Sequence, residues 1–299
     1  MEPIALRPLA FGEVLDTAFN LFKRNFKTVL LISVVIMVPL VLISGAAAAG
    51  LAPGEFTVAD AETASPEEVL GFLVPLLGAA GFGALVQMLG SLLVQAATTR
   101  VYSEAYRGIR LDPRTALRVG LARLPAMLGL TLLSSLAFLV GILLCVLPGV
   151  WLYVALGLAP AALIAEGSGV FASLGRSFRL VQGSWWRVCG LLLVAGLIVA
   201  VITSVVTAPL QLGATFGAGL AGPDTLFSGG YLALNVIVSG LVSAVTLPFT
   251  AAVVVAVYYD QRVRKEAYDL ERLIADLGDP PGAPMPPSPT DPSDPFGLG

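Results

Sequence analysis

Two sets of uncharged polar residues recur at helical spacing within otherwise apolar sequence. Gln87, Ser91, Gln95 and Thr99 stand at strict i,i+4 intervals, with Gly83 one turn earlier, and Asn235, Ser239 and Ser243 repeat the interval. Residues four apart share one helix face, so each set is a polar stripe. Inside a membrane such a stripe has two uses. It can line a path or cavity for a solute. It can also supply interhelical hydrogen bonds that hold a bundle together, each worth roughly 0.6 to 2 kcal/mol. A void between the two stripes favours a small permease; a dry, packed contact favours a scaffold. Neither stripe holds the carboxylate that a proton or ion pathway ordinarily uses.

Catalytic chemistry finds little to work with. The chain has no histidine. That removes imidazole acid–base catalysis, histidine metal ligands and Ser-His or Cys-His nucleophile pairs. Its two cysteines, Cys145 and Cys189, make neither a CxxC nor a metal cluster. Asp260 with Glu266 is the one candidate acid pair, and Arg262, Arg264 and Lys265 account for those acids as ion-pair partners. Asp269 and Glu271 extend the same acidic cluster. No catalytic residue, cofactor or metal site is expected, and no nucleic-acid partner.

The elements that carry these residues are membrane spans. Of 299 residues, 57% are hydrophobic and 12% charged, against roughly 25% charged in an average soluble domain. Charge-free runs place spans at about 28–49, 69–97, 188–210 and 230–257. Residues 125–165 carry no charge over 41 residues, roughly 60 Å as helix. That is two bilayer cores. Leu147-Pro148-Gly149 is a turn signal, and it splits the run into 125–146 and 150–165. The expected fold is all-α and polytopic, six helices over 1–277, followed by a disordered Pro-rich tail at 278–299. Small residues at Gly196, Ala200, Ser204 and Ala208 prepare the fifth span for close packing.

Orientation follows from the basic residues. The segments 1–27, 98–124, 166–187 and 258–299 hold 4, 6, 3 and 4 of them, which is all 17 in the chain. The other side carries Glu55, Asp60, Glu62, Glu67, Glu68 and Asp224 and no lysine or arginine. The positive-inside rule puts both termini in the cytoplasm, in a bacterial cell membrane. Cys145 and Cys189 then fall at opposite faces and form no disulfide. Lys23-Arg24 before an apolar run ending Gly45-Ala46-Ala47-Ala48 loosely mimics a signal peptide, but the preceding 22 residues are long for an n-region and contain Glu13 and Asp16.

The basic segments read as amphipathic interfacial helices. Phe11, Val14, Leu15, Ala18, Phe19, Phe22 and Phe26 share one face of the first. In the second, Ala116, Leu117, Gly120, Leu121 and Leu124 oppose Arg110, Arg114 and Arg118. In the third, Val170, Phe171, Leu174, Phe178 and Val181 oppose Ser173, Arg176 and Ser177. Each precedes a hairpin of two spans, which suggests a threefold repeat over about 4–97, 98–165 and 166–275. Lys23, Arg24, Arg114, Arg118, Arg176 and Arg179 are the expected contacts for anionic lipid head groups. A final helix, with Val263, Ala267, Leu270, Ile274 and Leu277 spaced 4, 3, 4, 3, runs into the cytoplasm.

Three segments carry a family resemblance: Leu6-Arg7-Pro8-Leu9-Ala10-Phe11-Gly12-Glu13-Val14-Leu15-Asp16, Gly183-Ser184-Trp185-Trp186-Arg187, and Tyr258-Tyr259-Asp260-Gln261-Arg262-Val263-Arg264-Lys265-Glu266-Ala267-Tyr268-Asp269-Leu270-Glu271. Over about 4–275 the chain resembles bacterial, chiefly actinobacterial, proteins that carry a glycerophosphoryl diester phosphodiesterase membrane domain. In some relatives that domain is fused to a soluble barrel, whose histidines and acidic metal ligands do the chemistry. The resemblance therefore implies the membrane half alone, with no transferable catalytic residue. The expected function is a non-catalytic membrane component that organises lipid or anchors a partner enzyme at the cytoplasmic face. The alternative is a permease whose path lies between spans two and six.

Overall fold

A computed structural model describes residues 8–50, 65–221 and 228–277, with side chains described over 8–47, 65–220 and 228–266. The Pro-rich tail and the outer acidic residues Glu55, Asp60, Glu62 and Asp224 lie outside these ranges. Among the described residues all regular structure is helical: α1 Phe11–Gly50, α2 Pro66–Tyr106, α3 Pro113–Leu144, α4 Val146–Leu156, α5 Ala159–Glu166, α6 Val170–Val181, α7 Trp185–Ala221 and α8 Gly229–Leu277. Six units are long and apolar enough to cross a membrane, with α4 and α5 acting as one. Both cysteines are free.

Local signals set the helix starts. Ser65 and Glu68 form a reciprocal capping box on α2, with Pro66 in its first turn. Asp112 caps α3 by accepting from the Arg114 amide at 3.0 Å, again followed by proline.

Four boundaries depart from the sequence expectation. The first two amphipathic segments are not separate interfacial helices. They continue unbroken into α1 and α3, because neither Lys23-Arg24-Asn25 nor Leu124-Pro125 disrupts helical geometry, and Pro125 lies inside α3. The turn between spans three and four falls at Cys145, which is extended at φ −176°, rather than at Leu147-Pro148-Gly149. Gly149 serves instead as a contact. A Cβ on Gly141 would lie 2.7 Å from the Gly149 Cα, so the α3–α4 hairpin closes glycine on glycine. The fourth span breaks at Gly157-Leu158. Pro160 explains this, since its ring would clash with the carbonyl four residues earlier and it has no N–H to offer.

The third amphipathic segment does stand alone, as α6, with Val181 buried and Val170 and Leu174 packed on the core as expected, but its buried face is rotated to take in both serines. Ser173, Ser177, Leu180 and Val181 are buried, while Phe171 is 78% exposed. Ser177 repairs the broken span. Its hydroxyl donates to the Ala155 carbonyl at 2.7 Å and accepts from the Leu158 amide at 3.2 Å. Both backbone groups would otherwise be unpaired in an apolar setting, at roughly 1–3 kcal/mol each. Only the third of the suggested repeats therefore has a separate interfacial helix.

The core gathers on α8, where the run Ala251–Tyr258 is buried throughout. α1 lies along it with Val14, Ala18, Leu21, Val29, Ile32 and Met37 turned inward. Two close approaches fix α1 from its other end. Val41 sits where a Cβ on Gly240 would go, and Leu40 where one on Gly90 would go.

Candidate functional site

The described lysines and arginines lie at one end of the bundle, and Asp260 is the centre of that end. Its side chain is fully buried. Oδ1 accepts from the Leu9 amide at 3.0 Å. Arg264, one turn along α8, donates Nε to both carboxylate oxygens at 3.1 Å. Arg187, in the first turn of α7, donates to Oδ2 at 3.1 Å and to the Leu9 carbonyl at 2.7 Å. Arg264 also reaches the Leu9 carbonyl. The three segments that carry the family resemblance thus meet at one carboxylate. Sequence reading assigned Arg264 to it but missed Arg187 and the Leu9 backbone, which are 73 and 251 residues away.

A second network adjoins it. Arg176 pairs with Glu166 at 2.9 Å and with Glu266, which also accepts from Arg262. Tyr258 donates its hydroxyl to Glu166. Burial works against the Arg176 cation, but its hydrogen bonds to the two glutamates outweigh that and hold its pKa above the ordinary arginine value. Lys265 donates to the Arg179 and Gln182 carbonyls and so caps the C-terminus of α6. Tyr259 stacks on Tyr106 with ring centroids 4.3 Å apart. Of the six cations expected to meet lipid, Arg176 is thereby taken up in structure. Lys23, Arg24, Arg114, Arg118 and Arg179 are exposed and have no ion pair among the described residues. Among the described residues no group of His, Cys, Asp or Glu is arranged to hold a metal.

Towards the opposite end, the two polar stripes converge. Gln87 from α2 and Asn235, Ser239 and Ser243 from α8 line one cavity of about 360 Å³, joined by Ser44 of α1. None of these side chains bonds to another across the helix interfaces. Gln87 reaches only the Met37 sulfur at 3.8 Å, Ser243 turns back to the Ser239 carbonyl at 2.8 Å, and the buried Ser44 hydroxyl has no partner. Gly83 borders the cavity and leaves it room.

The α2 stripe does not reach that cavity along its whole length. Ser91 bonds the Met88 carbonyl at 2.8 Å, and Thr99 is buried in the core. Gln95 opens into a different cavity, of about 580 Å³. Between them along α2, Leu40 and Met37 pack closely on Gly90.

Comparison with known proteins agrees on the membrane class. A family model described as "Domain of unknown function (DUF7847)" matches residues 113–261, from the start of α3 to Gln261 on α8, just past Asp260. The chain is 27% identical over 184 residues to a UPF0259 membrane protein of Photorhabdus laumondii subsp. laumondii, covering 58% of this chain and 72% of that protein. It is 29% identical over 109 residues to a UPF0259 membrane protein of Pectobacterium carotovorum subsp. carotovorum, covering 36% and 44%. No solved structure matches. The chain is a multi-pass helical membrane protein similar to bacterial membrane proteins of the UPF0259 type.

Proposed function

We propose that this chain is a non-catalytic small permease of the bacterial cytoplasmic membrane, with both termini in the cytoplasm. It takes an uncharged solute into the cavity between α1, α2 and α8. One observation carries the reading: five polar side chains face a common void instead of bonding one another across the helices. Glue would pair these polar side chains with one another across the helices, whereas Gln87 reaches across only to the Met37 sulfur. The size lies within the range of small-molecule sites, roughly 300–1,000 Å³, and a mostly apolar lining with a few placed polar groups is their usual composition. The lining has no ionisable side chain, so a neutral solute suits it.

A thiol-accessibility experiment tests this. In a Cys145→Ser, Cys189→Ser background, Ser239→Cys should react with a water-soluble methanethiosulfonate reagent added from the periplasmic side. Ala252→Cys, in the buried core, should not. An inert Ser239→Cys would mean a dry contact and would return the protein to the scaffold reading.

The scaffold reading has its own support at the basic end. Lys23, Arg24, Arg114, Arg118 and Arg179 are exposed, and the exposed aromatic rings of Phe171 and Trp186 lie on the neighbouring α6 and α7. That combination suits anionic head groups, at up to about 1 kcal/mol per cation. The resemblance to glycerophosphoryl diester phosphodiesterase membrane domains supports an anchoring role there, since its three segments build this end around Asp260.

A further inference from the structure

The second cavity has no assigned role. It lies between α2, α3, the broken α4–α5 span, α7 and α8, and its volume is about 580 Å³. Gln95, Thr131, Ser134, Ser135 and Tyr153 line it. Their side chains make no hydrogen bond among the described residues. This sets them apart from the hydroxyls of Ser33, Thr98, Ser103, Thr207 and Thr246, which all turn back to a carbonyl four residues earlier. That local bond is the default for a hydroxyl on a membrane helix, because hydrocarbon offers no other partner. Thr131, Ser134 and Ser135 decline it on one face of α3, and Gln95 faces the same space from α2.

Gln95 lies five residues before Arg100 on α2, about 7.5 Å along the helix axis. Thr131 lies eight residues after Arg123 on α3, about 12 Å. Both therefore sit within the apolar spans, in the half of the bilayer nearer the basic end. The cavity also opens sideways: Ser135 is exposed and Ser134 half-buried, and the adjoining α3 surface at Leu132 and Leu136 is more than half exposed. An occupant therefore enters from the membrane. No Asp, Glu, Lys or Arg lines the space. A phosphate drawn into the cavity would meet no counter-charge in its lining, which disfavours a charged head group there.

We infer that this groove is a lateral binding site for an uncharged lipid whose hydroxyl or ester oxygens are held by Gln95, Thr131, Ser134 and Ser135. The acyl chains remain in the bilayer. The site is separate from the cavity assigned to the permease reading and stands or falls without it.

The probe is radiolabelled dioleoylglycerol, with dioleoylphosphatidylglycerol as the charged comparison. Each is offered in mixed micelles to the purified full-length chain, and bound lipid is counted after gel filtration. Wild type should retain dioleoylglycerol at least tenfold better than dioleoylphosphatidylglycerol. Thr131→Val, Ser134→Ala, Ser135→Ala together should lower that retention at least tenfold, and Gln95→Met alone should lower it severalfold while keeping the helix-favouring bulk. Gln87→Leu, in the other cavity, should leave it unchanged. Equal retention of the two lipids, undiminished binding by both groove variants, or loss in Gln87→Leu would each overturn the assignment. Should the triple variant fail to elute as a folded monodisperse species, Gln95→Met decides.

Discussion

The Leu9 amide donates to the Asp260 carboxylate at 3.0 Å across 251 residues of sequence. The contact is closed by Arg187 and Arg264, which hold the same carboxylate and the Leu9 carbonyl. It ties the chain entry into α1, the first turn of α7 and the end of the buried part of α8 into one knot.

A buried, fully paired carboxylate resists loss of a partner. Asp260→Ala leaves two guanidinium groups and a backbone amide short of an acceptor, and Arg187→Gln leaves a buried anion half-neutralised. Each should destabilise the protein by about 3–5 kcal/mol. Thermal unfolding in detergent measures this. Arg114→Gln, on the exposed face of α3, serves as the comparison and should shift stability by less than about 0.5 kcal/mol. Equal behaviour of all three variants would mean that the knot is not part of the folded state in detergent.

The spans were legible because charge is excluded from hydrocarbon whatever the fold around it. Which face of a span meets protein was not, because lipid is as apolar as a core. In α1 the sequence offers a wide stripe from Phe11 to Phe26, but Val14, Ala18 and Leu21 are buried while Phe11, Phe19 and Phe26 are partly exposed. In α6 the two buried serines read as the polar face: Pro160 marks where span four breaks, but nothing in the sequence ties Ser177 to the backbone groups freed there. Of the seven stripe residues, four share the first cavity as their spacing suggested. Gln95 faces the second because each i,i+4 step overshoots a helical turn by about 40°, which turns it about 80° away from Gln87 around α2. Thr131, Ser134 and Ser135 escaped notice because i,i+3 and i,i+4 hydroxyls are ordinary in membrane helices. Their missing back-bonds together with their shared cavity mark them.

That distinction on α1 can be measured. Ala18 is fully buried and Phe19 is 55% exposed. Ala18→Phe should overpack the α1–α8 contact and cost about 1–3 kcal/mol. Phe19→Leu should change stability by no more than about 0.5 kcal/mol. The thermal midpoints of the two variants in one detergent decide it. A reversed order would mean that Phe19, and not Ala18, faces α8.

Orientation rests on the basic residues gathered at one end. Reporters fused after Gly50 and near Gly222 should read periplasmic, and those near Arg110, Gly175 and Gly278 cytoplasmic. A cytoplasmic signal from the 50–68 segment would invert the arrangement. It would also place the five exposed cations against the outer leaflet.

The purified chain should not hydrolyse a glycerophosphodiester, with or without a divalent metal. The acids at the basic end are already engaged. Asp260 gives its oxygens to Arg264, Arg187 and the Leu9 amide. Glu266 is held between Arg176 and Arg262, and Glu166 between Arg176 and Tyr258. A cation entering this end would have to displace guanidinium groups from each carboxylate and would meet their repulsion. The chain also has no imidazole to serve as acid or base. Because Asp260→Asn is expected to disturb the fold, Glu266→Gln is the informative variant, its carboxylate being the more exposed of the two. Metal-dependent turnover that survives stringent purification and disappears in a folded Glu266→Gln protein would overturn the non-catalytic reading and place an active site on α8.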